Sequence, residues 1–397
     1  MRYEFPEGFL WGTSTSALQI ETAGPHDWRG LKGEDGSILE RTIAHDLCMK
    51  EDAEIISSLG NAYRFSMDWS KIQERPYSQL NPDVVESYRD FIGSLKDKGT
   101  KIMLVLHHFA NPAWFTEGGS WKDAESIDVF NDYSQRIASD FGDLVDIWNT
   151  INEPNVYAGL SHISGEFPPH KRRRLLSAYK ILCNMGSAHE ASYRSIKEVS
   201  ETPVGATMNT MDFYGDSLLG KIGADVVDLV SVDFTSSKFS NCDFFGINYY
   251  GKILFDPLPV MAIDSSERLD EKGLEHDKMF QYHPSGLADV LMRFHKKYGK
   301  PLFVTENGCC TDDDEQRKRS IRDHLISAHD VLSRGVDLRG YFHWSTFDNF
   351  ELHLGMSYRF GLVDVDLKTM TREPKPSAAY YSKIAKNNLL EDFEKDF

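Results

Sequence analysis

No stretch of the sequence approaches the roughly 18 consecutive apolar residues that a membrane-crossing helix needs. Nor does the beginning read as a secretory leader, because MRYEFPEGFLWGTS carries acidic residues and a proline where a leader needs an apolar run. Cysteine is scarce. The five present (Cys48, Cys183, Cys242, Cys309, Cys310) are odd in number and lack paired C-x-x-C spacing, which argues for reduced thiols and a cytoplasmic setting. Neither they nor His107-His108 stand at a spacing that would bind zinc, so no metal and no cofactor is expected. Basic residues are outnumbered, 44 Lys and Arg against 61 Asp and Glu, for a formal net charge of −17. A phosphate backbone would be repelled by such a surface, which excludes nucleic acid as a partner. The G-x-G-x-x-G signature of a dinucleotide-binding sheet is missing after the first strand. Linkers, low-complexity tracts and short repeats are missing too, so residues 1–397 read as a single domain.

What the chain does have is regular alternation. Eight short strand-like runs occupy 9–16, 62–68, 101–108, 146–152, 204–209, 243–249, 301–305 and 338–345. Amphipathic helices are predicted at about 46–59, 82–98, 126–141, 175–199, 284–298, 315–334 and 377–388. The clearest begins at Asn81-Pro82, an N-cap followed by a proline at the first helical position, and stops near Gly99. Segments 20–44 and 251–283 read as long loops. Unbroken strand–helix alternation implies the α/β class with a parallel sheet, and eight repeats favour a closed (β/α)8 (TIM) barrel.

In such barrels the chemistry sits at the carboxyl ends of the strands. Those ends carry Arg64, His107-His108, Asn152-Glu153, Asn248-Tyr249-Tyr250, Glu306-Asn307 and Trp344, with Gln19 just beyond the first strand. A lone glutamate at a strand end is more often a loop cap than a catalyst. Two of them, Glu153 and Glu306, ringed by amides, a histidine, an arginine and aromatics, have the composition that glycoside hydrolysis needs. One would stay ionised beside a cation, and the other would be kept protonated by burial and by the first one's charge.

The segments FPEGFLWGTSTSALQIE, YRFSMDWSKI, LHHFANPAWF, WNTINEPN, FFGINYYG, FVTENG, GYFHWSTFDNFE and RFGLVDVD occur in this order. Together they resemble glycoside hydrolase family 1, the β-glucosidase and β-galactosidase family, over nearly the whole chain. The resemblance implies a retaining, exo-acting O-glycosidase that removes the nonreducing-end sugar of small β-glycosides by double displacement. Glu153 would be the acid/base and Glu306 the nucleophile that forms a glycosyl-enzyme intermediate. Gln19, His108, Asn152 and Glu351 would hold the sugar over Trp344, while Arg64, Asn248 and Tyr250 would support the two carboxylates. The thioglucosidase branch has Gln where this chain has Glu153. The 6-phospho-glycosidase branch has Ser where it has Glu351.

Two features depart from the family pattern. The usual DNFEW run ends here in Leu352, which removes an indole N–H expected to touch the sugar, and the first signature reads IETAG. The run Lys171-Arg172-Arg173-Arg174 reads as a solvated helix start, and Asp312-Asp313-Asp314-Glu315 as acidic residues favoured by a helix amino terminus. The expected partners are small β-glycosides or oligosaccharides, with no membrane and with a homo-oligomer left open. A transglycosidase using the same two glutamates is the alternative within enzymes, and a non-catalytic sugar-binding barrel the alternative outside them.

Overall fold

The computed structural model describes residues 1–254 and 266–391. Among these, eight parallel strands close into a barrel: β1 (Leu10–Ser14), β2 (Ala62–Ser66), β3 (Lys101–His107), β4 (Ile147–Asn152), β5 (Val204–Asn209), β6 (Phe244–Asn248), β7 (Leu302–Asn307) and β8 (Leu338–Trp344). Spatial order follows chain order, and β8 closes the ring on β1 by pairing Gly340 to Trp344 with Leu10 to Ser14. A helix follows each strand: α1 (His45–Leu59), α2 (Pro82–Lys96), α3 (Glu125–Phe141), α4 (Leu175–Val199), α5 (Leu218–Asp228), α6 (Ser285–Tyr298), α7 (Asp314–Ser333) and α8 (Pro376–Asn387). The predicted architecture is the observed one.

Local chemistry sets the element ends. Asn81 accepts hydrogen bonds from the backbone N–H groups of Asp83 and Val84, and Pro82 opens α2. Inside the barrel, Leu10, Ala62, Met103, Ile147, Phe244, Phe303 and Phe342 form an apolar layer at the end of the strands away from the site. Phe244 and Phe303 meet edge to face with ring centroids 5.0 Å apart. Glycine makes room for these rings, since a Cβ on Gly12 would lie 2.2 Å from the Phe342 ring. One layer further along the strands the interior turns polar, with Arg64, Asn149, Thr207 and Thr305 all buried. The barrel therefore has a greasy floor under a hydrogen-bonded centre.

Three expectations need correction. A helix was not anticipated between β5 and β6, yet α5 starts at Leu218 and continues through Leu229–Phe234 to Thr235–Lys238. Gly220, Gly223 and several β-branched residues lower its intrinsic helix propensity, and its apolar residues do not form a buried stripe. The loop expected over 251–283 contains a strand at Lys252–Leu254, paired with Asp212–Tyr214, and a helix at Ser266–Glu271. Residues 255–265 of that loop lie outside the described residues. Finally, the run predicted at 9–16 ends its strand at Ser14 and gives way to a helical turn at Ala17–Ile20.

The first and last barrel units are locked by a buried ion cluster. Asp52 of α1 accepts from Arg372 Nε at 2.8 Å and is 2.7 Å from His45 Nδ1, while Arg372 also donates to the carbonyls of Ile43 and Met370. Removing the carboxylate would strand a buried guanidinium. Asp52→Ala is expected to destabilise the fold by about 3–5 kcal/mol in urea denaturation. An effect below about 1 kcal/mol, the ceiling for an exposed pair, would show that the cluster is not holding the termini together.

Candidate active site

Both glutamates reach the barrel mouth because the strands carrying them break regular register. Strict alternation along β7 sends Thr305 inward and would turn Glu306 away. The pairing of β7 with β6 shifts between Val304 and Glu306, however, so both side chains reach the interior. A similar shift in the β4–β5 pairing, between Asn149 and Asn152, delivers Asn152. Glu153 follows with φ 46° and ψ 58°, a left-handed conformation that a residue with a Cβ rarely adopts, and it caps the short helix Pro154–Gly159. Gly308, next along from the β7 end, passes so near β8 that a Cβ there would lie 1.9 Å from the Trp344 carbonyl oxygen.

One guanidinium organises the centre. Arg64 Nη1 donates to Glu306 Oε1 at 2.6 Å and to Ser14 Oγ at 2.9 Å, while Nη2 donates to Asn152 Oδ1 at 2.6 Å. Tyr250 Oη donates to the other Glu306 oxygen at 2.8 Å. The second glutamate has only neutral hydrogen-bond partners. Asn248 Nδ2 donates to Glu153 Oε1 at 2.7 Å, and Asn209 Nδ2 to the same oxygen at 2.9 Å. Asn248 is itself oriented by Thr305 Oγ1, which donates to its Oδ1 at 2.7 Å.

Those surroundings separate the two acids. Burial pushes Glu153 up to about 8, the nearby charge of Glu306 adds to the rise, and the two amide donors oppose it. Burial raises Glu306 as well, but Arg64 and the Tyr250 hydroxyl pull it back down. Arg64 makes direct contact with Glu306 and not with Glu153, so the first proton to leave the pair leaves Glu306.

A third buried carboxylate stands beside them. Gln19 Nε2 donates to Glu351 Oε2 at 3.1 Å and to Asn349 Oδ1 at 3.0 Å, and Ser16 Oγ holds the Gln19 oxygen. Burial lifts Glu351 to about 8, with a further push from Glu306. Gln19 and the Trp344 indole oppose that rise, and the Trp344 ring lies 5.8 Å from that of His108 at an interplanar angle of 31°. Asn152 Nδ2 donates to His108 Nε2 at 3.0 Å. Burial, followed by the charge of Arg64, drives His108 well below its usual range. The ring is therefore neutral, and its Nδ1 N–H is left buried without a partner.

All ten residues singled out from the sequence gather at this mouth. Sequence reasoning missed Asn209, the last residue of β5, which touches Glu153 directly. The signal was there, since a polar residue closing VGATMN occupies the same strand-end position that picked out the others. It also missed Ser14 and Asn155. The latter donates from Nδ2 to the Asn209 carbonyl and to Ser231 Oγ, joining the Glu153 loop to the α5 region. Among the described residues, no cluster of three or more His, Cys, Asp or Glu side chains is arranged to hold a metal ion.

Comparison with known proteins places this geometry in a family. The family model described as "Glycosyl hydrolase family 1" matches residues 1–218 and 233–390. "Beta-glucosidase A" of Thermotoga maritima is 31% identical over 98% of this chain and 99% of its own length. "Beta-galactosidase" of Saccharolobus solfataricus is 31% identical over 98% of this chain and 96% of its own. The solved structure of the Thermotoga maritima β-glucosidase in complex with deoxynojirimycin superposes with a TM-score of 0.89 at 30% identity, covering 98% of this chain and all of that one. With a family match over most of its length and a barrel of the same design, this chain belongs to glycosyl hydrolase family 1 and is a β-glycosidase.

Proposed function

We propose that the chain is a retaining exo-β-glycosidase in which Glu306 is the nucleophile and Glu153 the general acid and base. The observation that carries this assignment is the unequal treatment of two buried carboxylates. One is gripped by a guanidinium and a phenol, and the other is surrounded by neutral amides and raised to about 8. Glu306 attacks the anomeric carbon while Glu153 gives its proton to the departing oxygen. The glycosyl ester then breaks when Glu153, now ionised, takes a proton from water. Asn152, fixed by Arg64 and Asn248, presents its amide toward the sugar 2-hydroxyl, where contacts tighten in the transition state.

Gln19, Glu351 and the free Nδ1 N–H of His108 supply acceptors and donors for the remaining hydroxyls, over the Trp344 ring. A phosphorylated sugar would meet the buried acid Glu351 in place of a phosphate-binding cation, so neutral gluco-, galacto- and fucosides are the substrate class. The names of the relatives, both glucosidase and galactosidase, support that breadth.

Proton NMR of the first sugar released from a nitrophenyl β-glucoside should show the β-anomer, and initial release of the α-anomer would sink the retaining assignment. Glu306→Ala should abolish turnover of every substrate. Glu153→Ala should lower kcat/KM by roughly 10²–10⁴ on alkyl glucosides but far less on dinitrophenyl glucosides, whose leaving group needs no proton.

Activity requires Glu153 protonated, so kcat/KM should fall as pH rises through about 8. It requires Glu306 ionised, which sets the acid limb. Asn209→Ala removes a donor that favours the Glu153 carboxylate, so its alkaline limb should move to higher pH. An unmoved or lowered limb in that variant would detach Asn209 from the acid.

A further inference from the structure

The family match breaks at residues 219–232, so most of α5, the helix that follows β5, falls where this sequence departs from the family pattern. That stretch is also where the surface is most apolar. Leu218 is 75% exposed, Leu219 64%, and Ile222, Val226 and Leu229 each more than half. Their spacing sets them along one side of the helix. Beside it, the first turn of α4 exposes Leu175 and Leu176, and Tyr179 stacks on Phe234 with centroids 5.5 Å apart.

The helix is placed relative to the site by two contacts. Ser231 bonds Asn155 beside Glu153, and Lys238 packs against Gly186 further down α4. The fourteen residues from Leu218 to Ser231 thus span about 20 Å and end beside the mouth.

Cations gather at the Phe234 end of this helix, around the first turn of α4. Lys171, Arg172, Arg173 and Arg174 are all exposed and lead directly into Leu175. Lys122 and Lys180 flank Leu176 in one shallow depression. No described residue forms an ion pair with any of these six. On the helix, Asp228 and Asp233 are neutralised by Arg293, with Lys297 also on Asp233, and Lys221 offsets the exposed Asp225.

From this pairing of exposed leucines with unpaired cations we infer that α5 and the start of α4 dock this protein on an anionic lipid surface. Protein interfaces concentrate aromatic anchors and deplete lysine, and they need a complementary hollow. A protruding helix of Leu, Ile and Val next to a polybasic segment is what a lipid interface takes up. The net charge of −17 does not prevent it, because screening over about 10 Å lets the local cations dominate at contact. The site mouth then opens beside the bilayer, whichever sugar it accepts.

Sedimentation of the full chain with phosphatidylcholine vesicles, with and without phosphatidylglycerol, decides the matter. The protein should pellet with the anionic vesicles at low salt, and should stay in solution with pure phosphatidylcholine or at high salt. Leu218→Ser with Leu219→Ser, and separately Arg172→Ser with Arg173→Ser and Arg174→Ser, should each cut the bound fraction at least about tenfold. Turnover of a soluble nitrophenyl glucoside should be unchanged in both, which also reports that they fold. Three results would overturn the inference: no binding of native protein to anionic vesicles, binding unaltered in both folded variants, or a dimer in solution that buries this face against a second copy. If a variant fails to fold, the lipid and salt dependence of the native chain still decides.

Discussion

The buried contact between Arg64 and Glu306 is the interaction on which the rest of the site depends. A carboxylate this deep would cost several kcal/mol to ionise alone. The guanidinium answers that cost with a contact of 2.6 Å and, being a rigid fork, spends its other donors on Ser14 and Asn152. Three strands are thereby fixed against one planar group, with Ser14 paired directly opposite Arg64 in the β1–β2 ladder. Asn152 is thereby aimed at His108, which sets the tautomer of that ring.

The same arrangement explains why two chemically identical side chains differ. Both glutamates are almost wholly buried, so desolvation alone would raise them alike. Geometry breaks the tie. Arg64 projects from β2 toward β7, whereas Glu153 sits one residue past β4 under two amides from β5 and β6. Glu351, from the segment after β8, adds a third acid that burial and the charge of Glu306 hold toward its protonated form.

Much of this was legible in the amino-acid sequence because barrel chemistry collects at strand ends, and strand ends can be read from hydrophobic alternation. Asn152-Glu153 and Glu306-Asn307 stood out for that reason. What alternation hides is a register shift. A strict period of two turns Glu306 to the wrong face, and only the irregular pairing beyond Val304 brings it inside. Glu153 depends on a left-handed backbone that no residue type announces. The α5 helix escaped for a different reason. Helices are found by the stripe they bury, and this one carries its leucines outward, with Gly220 and Gly223 weakening the pattern further.

The apolar layer of Phe244, Phe303, Phe342 and Met103 has a kinetic consequence. It seals the barrel below the polar centre, so entry and exit share one opening. On the proposed assignment the sugar ring sits innermost and the leaving group outermost. Departure is therefore ordered: the aglycone diffuses away first, and the monosaccharide, last out, occupies the very position the next substrate must take. Free sugar would then compete with fresh substrate for the empty enzyme, and in concentrated syrup the catalyst would throttle itself.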